Sequence, residues 1–86
     1  MQFEGALIRE QGLTFAVVIV KPHVLNSGTQ ADDVADSFRP AFPGVPIVLM
    51  AQNGRGVPTY RGRRDIVNFL SRVPVRAIPW RRYTLN

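Results

Sequence analysis

Residues 13–20, LTFAVVIV, decide the fold. Thr14 is the one polar position in the run, and the rest is β-branched, aliphatic or aromatic, the composition of a strand. A strand with one face in water alternates apolar and polar residues. This one does not, so it reads as a central strand buried on both faces, or against helices on one face and a partner on the other. Upstream, residues 2–9 mix apolar and polar positions as a half-exposed strand does. Glu10, Gln11 and Gly12 then supply a tight connection, so the first two strands form a hairpin.

Downstream, Asn26, Ser27, Gly28 and Thr29 mark a loop, with Thr29 the expected N-cap and Asp32 in the first helical turn. Ala31, Val34, Ala35, Phe38 and Phe42 recur at helical spacing, which predicts a helix over about residues 30–41 with one apolar stripe on the sheet. Pro43, Gly44 and Pro46 end it. Residues 47–51, IVLMA, are again continuously apolar. Strand, helix, strand in that order implies a right-handed parallel crossover. Asn53 and Gly54 predict a type I′ hairpin turn, and the return strand over residues 57–60 is placed at a sheet edge by Pro58, which has no N–H to donate.

A second helix is predicted over about residues 63–73, with Ile66, Val67, Phe69, Leu70 and Val73 inward and Arg64, Asn68 and Arg72 outward. Residues 75–85 supply a last strand, bent at Pro79. The sum is one α/β (α+β) domain over residues 1–86, in the order ββαββαβ. The expected architecture is a mixed sheet of about five strands with both helices on one face, a two-layer sandwich. The outline is loosely similar to thioredoxin-type domains, but the paired cysteines that carry their activity are missing, so the likeness implies nothing about function.

Composition narrows the chemistry. With 45% hydrophobic and 20% charged residues the chain departs from the polar composition of disordered segments. The absence of cysteine excludes disulfides, thiolate metal sites and thiol redox chemistry. The longest apolar run, residues 15–20, is far too short to cross a bilayer, and the expectation is a soluble cytoplasmic protein that engages no membrane. His23 is the single histidine and the single side chain that ordinarily titrates near neutrality. A nucleophile–base arrangement and a multi-histidine metal site therefore both lack their parts. Asp32, Asp33 and Asp36 do not have the spacing of a calcium loop and read as a solvated helix face. The expectation is a non-enzymatic domain with no cofactor and no metal.

Charge supplies the functional candidates. Residues 1–52 carry three cations against five carboxylates, net −2, whereas residues 53–86 carry eight arginines against Asp65, net +7. Arginine offers a planar fork suited to phosphate or carboxylate. Arg61, Arg63 and Arg64 also crowd the start of the second helix, where cations are disfavoured, and such broken local rules concentrate at functional sites. The first reading is therefore a polyanion or nucleic-acid surface built from Arg61, Arg63, Arg64, Arg72, Arg81 and Arg82, with Tyr60, Trp80 and Tyr83 available for stacking, provided these arginines gather on one face. The alternative is protein–protein interaction, either with an acidic partner or between copies of the chain through the edge strand. A third is a small-anion site in the loop over residues 21–29, where Lys21, His23, Asn26, Ser27 and Thr29 stand beyond a parallel strand end with Arg55 nearby.

Overall fold

The structure, a computed structural model, describes residues 1–85. Its strands are β1 (Gln2–Glu10), β2 (Leu13–Ile19), β3 (Ile47–Gln52), β4 (Pro58–Arg61) and β5 (Arg81–Thr84); α1 (Gly28–Ser37) lies between β2 and β3, and α2 (Arg64–Leu70) between β4 and β5. They form one mixed sheet in the order β4-β3-β2-β1-β5, in which β2 and β3 run parallel and the other neighbours antiparallel. The ββαββαβ order and the five-strand mixed sheet are those read from the sequence. Pro58 does lie on an edge strand.

The helices do not share a face. Ala16 and Val18 of β2 and Leu49 of β3 pack with Ala31, Phe38 and Phe42, whereas Phe15, Val17, Val48 and Met50 pack with Ile66 and Leu70. Successive side chains on a strand point to opposite sides, so α1 covers one side of the sheet and α2 the other. The domain has three layers, not two. The physical reason lies in β2 itself: residues 15–18 are all buried, and a strand with apolar side chains on both faces needs an apolar cover on each.

Local chemistry sets the connections. Gln11 and Gly12 join β1 to β2 with φ values of 52° and 80°, so the type I′ pattern of two left-handed residues occurs here. The expected type I′ turn at Asn53 and Gly54 does not form, because neither residue has positive φ. Asn53 instead folds the loop around its own side chain: Oδ1 accepts from the N–H groups of Arg55 at 2.8 Å and Val57 at 3.0 Å. The left-handed residue is Gly56, φ 79°, whose N–H donates to the Asn53 carbonyl at 2.9 Å. Ser27, rather than Thr29, caps α1, its Oγ accepting from the Gln30 N–H at 3.4 Å. The predicted last strand over residues 75–85 is reduced to β5. A 3₁₀ turn, Val75–Ala77, precedes it, and the Trp80 indole donates to the Val75 carbonyl at 2.9 Å.

On the α1 side the core is aromatic. Phe3 stacks on Tyr83 with centroids 5.4 Å apart and meets Phe38 at 4.7 Å and Phe42 at 5.9 Å. Gly5 makes room for this arrangement. A Cβ built there stands 2.8 Å from the Val17 carbonyl oxygen and 3.5 Å from the Phe3 ring, and the carbonyl belongs to the sheet backbone and cannot yield. Gly5→Ala should therefore cost about 1–3 kcal/mol, the usual range for overpacking. Urea unfolding checks it, with a lower midpoint expected at unchanged slope.

Candidate functional site

The arginines of the last third divide between the two edges of the sheet. Register places Arg61, Leu49, Val18, Gly5 and Arg81 in one row across the strands, so Arg61 and Arg81 sit at its opposite ends. Four strand spacings separate those ends, about 19 Å at roughly 4.8 Å per strand. Arg82 follows Arg81 along β5 and so points to the other face, beside Glu4, at 3.9 Å from its carboxylate. The single convergent face expected of Arg61, Arg63, Arg64, Arg72, Arg81 and Arg82 is not formed. Arg61, Arg63 and Arg64 belong to the β4–α2 segment, Arg72 lies past the end of α2, and Arg81 and Arg82 belong to the far edge.

Within the β4–α2 group the side chains take different directions. Arg63 forms a two-pronged pair with Asp65, Nε to Oδ1 at 3.2 Å and Nη2 to Oδ2 at 2.8 Å. Arg61 and Arg64 line a common cleft of about 340 Å³ at the β4 edge. Thr59 and Tyr60 of β4 also line it, with Leu25 and Val67 as its apolar walls. The Arg61 guanidinium reaches over the start of α1, 3.6 Å from an Asp32 carboxylate oxygen, with 45% of its side chain exposed. Among the described residues no carboxylate lies within 4 Å of the Arg64 guanidinium.

Two glycines fix this geometry. A Cβ on Gly62 would stand 2.8 Å from Val48 Cγ2 and 3.3 Å from the Ile47 carbonyl oxygen, so the turn between Arg61 and Arg64 lies directly against β3. A Cβ on Gly28 would stand 2.9 Å from Arg61 Nη2, so the guanidinium occupies the space that a side chain at the first position of α1 would take. Tyr60 contributes the one buried side-chain polar atom without a hydrogen-bond partner among the described residues, its hydroxyl. Burial pushes its pKa above the ordinary tyrosine value, so the hydroxyl stays protonated at neutral pH.

Of the three stacking candidates, Tyr60 lines the cleft, while the other two are held in the core. Trp80 is half-buried against the α2-side core, and Tyr83 is half-buried between Phe3 and Phe42. The loop candidates are likewise dispersed. Lys21 lines a cleft near the chain start with Met1 and Gln2, whereas Ser27 and Thr29 line a different one that also presents Asp33. Ser27 is committed to the α1 cap, and the Arg55 N–H to the Asn53 turn. His23 and Asn26 are exposed members of the 3₁₀ turn Pro22–Asn26, and neither borders the other two clefts. The six do not share a cavity. Among the described residues no group of three or more histidine, aspartate or glutamate side chains is placed to hold a metal ion, and no helix is long and apolar enough to cross a membrane.

Sequence reasoning missed Thr59, Leu25 and Val67 as neighbours of the arginines. Leu25 is brought to β4 by the crossover, and no local pattern announces that. The chain matches no family model, no curated protein and no solved structure.

The Arg63–Asp65 pair yields a direct check on this geometry. The Arg63 hydrogen bonds hold the Asp65 carboxyl below the usual carboxylate range, opposed by a smaller desolvation effect and assisted by the Ile66 backbone N–H. A depressed carboxylate stabilises the fold above its unfolded-state pKa, and that contribution is lost as pH falls through the lower folded value. In Arg63→Ala the Asp65 carboxyl carbon should titrate at higher pH in an NMR series. An unmoved midpoint would show that the pair does not persist in solution.

Proposed function

We propose that this domain is a non-catalytic binding module that engages a polyanion, with nucleic acid as the favoured class, through the β4 edge and the start of α2. The observation that carries the reading is that Arg61 and Arg64 face one cleft while Arg63 between them is turned into an ion pair. Asp32 stands 3.6 Å from the Arg61 guanidinium and leaves Arg64 unpaired among the described residues, so an anion in the cleft would gain a charge-assisted partner there. The net +7 of residues 53–86 supplies long-range attraction that would speed encounter with a polyanion. With Trp80 and Tyr83 held in the core, Tyr60 is the one aromatic lining the cleft, so recognition rests mainly on phosphate contacts and binding is weakly dependent on sequence.

Fluorescence anisotropy with a labelled single-stranded oligonucleotide tests this reading. Affinity should fall steeply between 50 and 200 mM salt, as counterion release requires. Arg61→Gln with Arg64→Gln should weaken binding by about tenfold or more, the loss of at least one charge-assisted contact worth roughly 1.5–3 kcal/mol. Arg81→Gln with Arg82→Gln, at the far edge, should change it less than about threefold, the general effect of lowering net charge. Equal losses from the two pairs would remove the β4 edge as the site. Binding of polyglutamate as tight as that of the oligonucleotide would assign the surface to acidic proteins instead.

A further inference from the structure

Resting on that reading, we infer that the Arg61–Arg64 cleft receives a terminal phosphate monoester, the phosphorylated end of a nucleic-acid strand, in preference to an internal phosphodiester. A diester carries one negative charge and two non-bridging oxygens, whereas a monoester near pH 7 carries about −1.5 to −2 and three acceptor oxygens. A surface that tracks an internal backbone distributes single cations along a groove. Here two arginines, from the end of β4 and the start of α2, line one cavity, and Arg64 has no carboxylate within 4 Å among the described residues. That arrangement matches a dianion.

Size and lining agree. At about 340 Å³ the cleft lies at the small end of ligand pockets, room for about one nucleotide unit. Thr59 adds a hydroxyl to the polar wall, and Leu25 and Val67 form an apolar wall for the sugar or base behind the phosphate. The cavity is also held in shape. Gly62 presses the Arg61–Arg64 turn against β3, and Gly28 leaves the space in which the Arg61 guanidinium lies, with Asp32 at 3.6 Å to orient it.

Gly28 gives a variant that keeps both arginines. The clash in Gly28→Ala falls on the far end of a flexible side chain, so the fold should be retained while the guanidinium is displaced from its place over the start of α1. The experiment compares ten-nucleotide oligothymidylates labelled at one end and carrying either a phosphate or a hydroxyl at the other, in both 5′ and 3′ versions, with thymidine 5′-monophosphate, thymidine and a phosphoserine peptide as competitors. The phosphorylated end should bind at least about tenfold tighter than the hydroxyl end, the effect of one additional charge-assisted contact. That preference should disappear in Arg61→Gln with Arg64→Gln and diminish in Gly28→Ala, with circular dichroism showing all three proteins folded. Equal affinity for phosphate and hydroxyl ends overturns the monoester assignment and leaves the polyanion reading in place. Binding of the monophosphate, but of no oligonucleotide, overturns the polyanion reading and keeps the monoester site with free nucleotide as its source. A phosphoserine peptide that competes as well as the phosphorylated strand overturns the assignment to nucleic acid.

Discussion

The structure depends on β2 being apolar on both of its sides. Phe15 and Val17 go to one core, Ala16 and Val18 to the other, and each pair is sealed only if a helix lies over it. That demand accounts for the parallel β2–β3 pair joined by α1 and for α2 arriving on the opposite face. It also explains an imbalance. α2 has seven residues, and the α2-side core ends at Ala6, Val17 and Met50. Beyond it Gln2, Glu4, Gln52 and Arg82 are exposed and, with the partly buried Ile19, line a cleft of about 610 Å³. A longer second helix would have to bury these groups without partners, so the polar strand ends and the short helix are mutually consistent.

The two sheet edges are managed differently. On β4 the Asn53 N–H donates to the Val57 carbonyl at 3.1 Å, and alternation from that pair turns the backbone nitrogens of Pro58 and Tyr60 outward. Proline at the first of these removes a donor from the open edge, a common means of discouraging strand addition. β5 is four residues long and begins with two arginines, which serves the same end by charge. The chain termini are fastened through this edge, Leu85 N–H donating to the Met1 carbonyl at 2.8 Å and the Met1 amine to the Leu85 carbonyl at 2.9 Å.

Features set by local repetition were legible in the sequence; features set by distant neighbours were not. The apolar run of β2, the stripe from Ala31 to Phe42 and the edge position of Pro58 each follow from a few consecutive residues, and each stands in the structure. The layer assignment failed because a single strand's pattern shows that both faces are covered but not which helix covers which. The turn at Asn53 and Gly54 failed for a different reason. A longer loop let the Asn53 side chain bond the N–H groups of Arg55 and Val57, and the left-handed conformation moved to Gly56. Gln11 and Gly12 carried a weaker signal, yet a two-residue connection between paired strands leaves the chain little choice.

The arginines show why a charge count reads poorly as a surface. Arg81 and Arg82 are adjacent in sequence and face opposite ways because a strand alternates. Arg61 and Arg64 are three residues apart and share a cleft, because the chain between them turns from strand to helix against Val48. Arg63, inside that turn, is satisfied by Asp65 two residues later and is thereby withdrawn from the cleft. Asp65 is the one side-chain carboxylate in residues 53–86 and takes Arg63, while Asp32 of α1 stands 3.6 Å from Arg61, so among the described residues only Arg64 of the three has no carboxylate within 4 Å. Had a carboxylate also stood within reach of Arg64, the cleft would hold no unpaired guanidinium and the net charge of residues 53–86 could be unchanged. The proposed anion site is therefore selected less by how many arginines the chain carries than by where Asp32 and Asp65 fall.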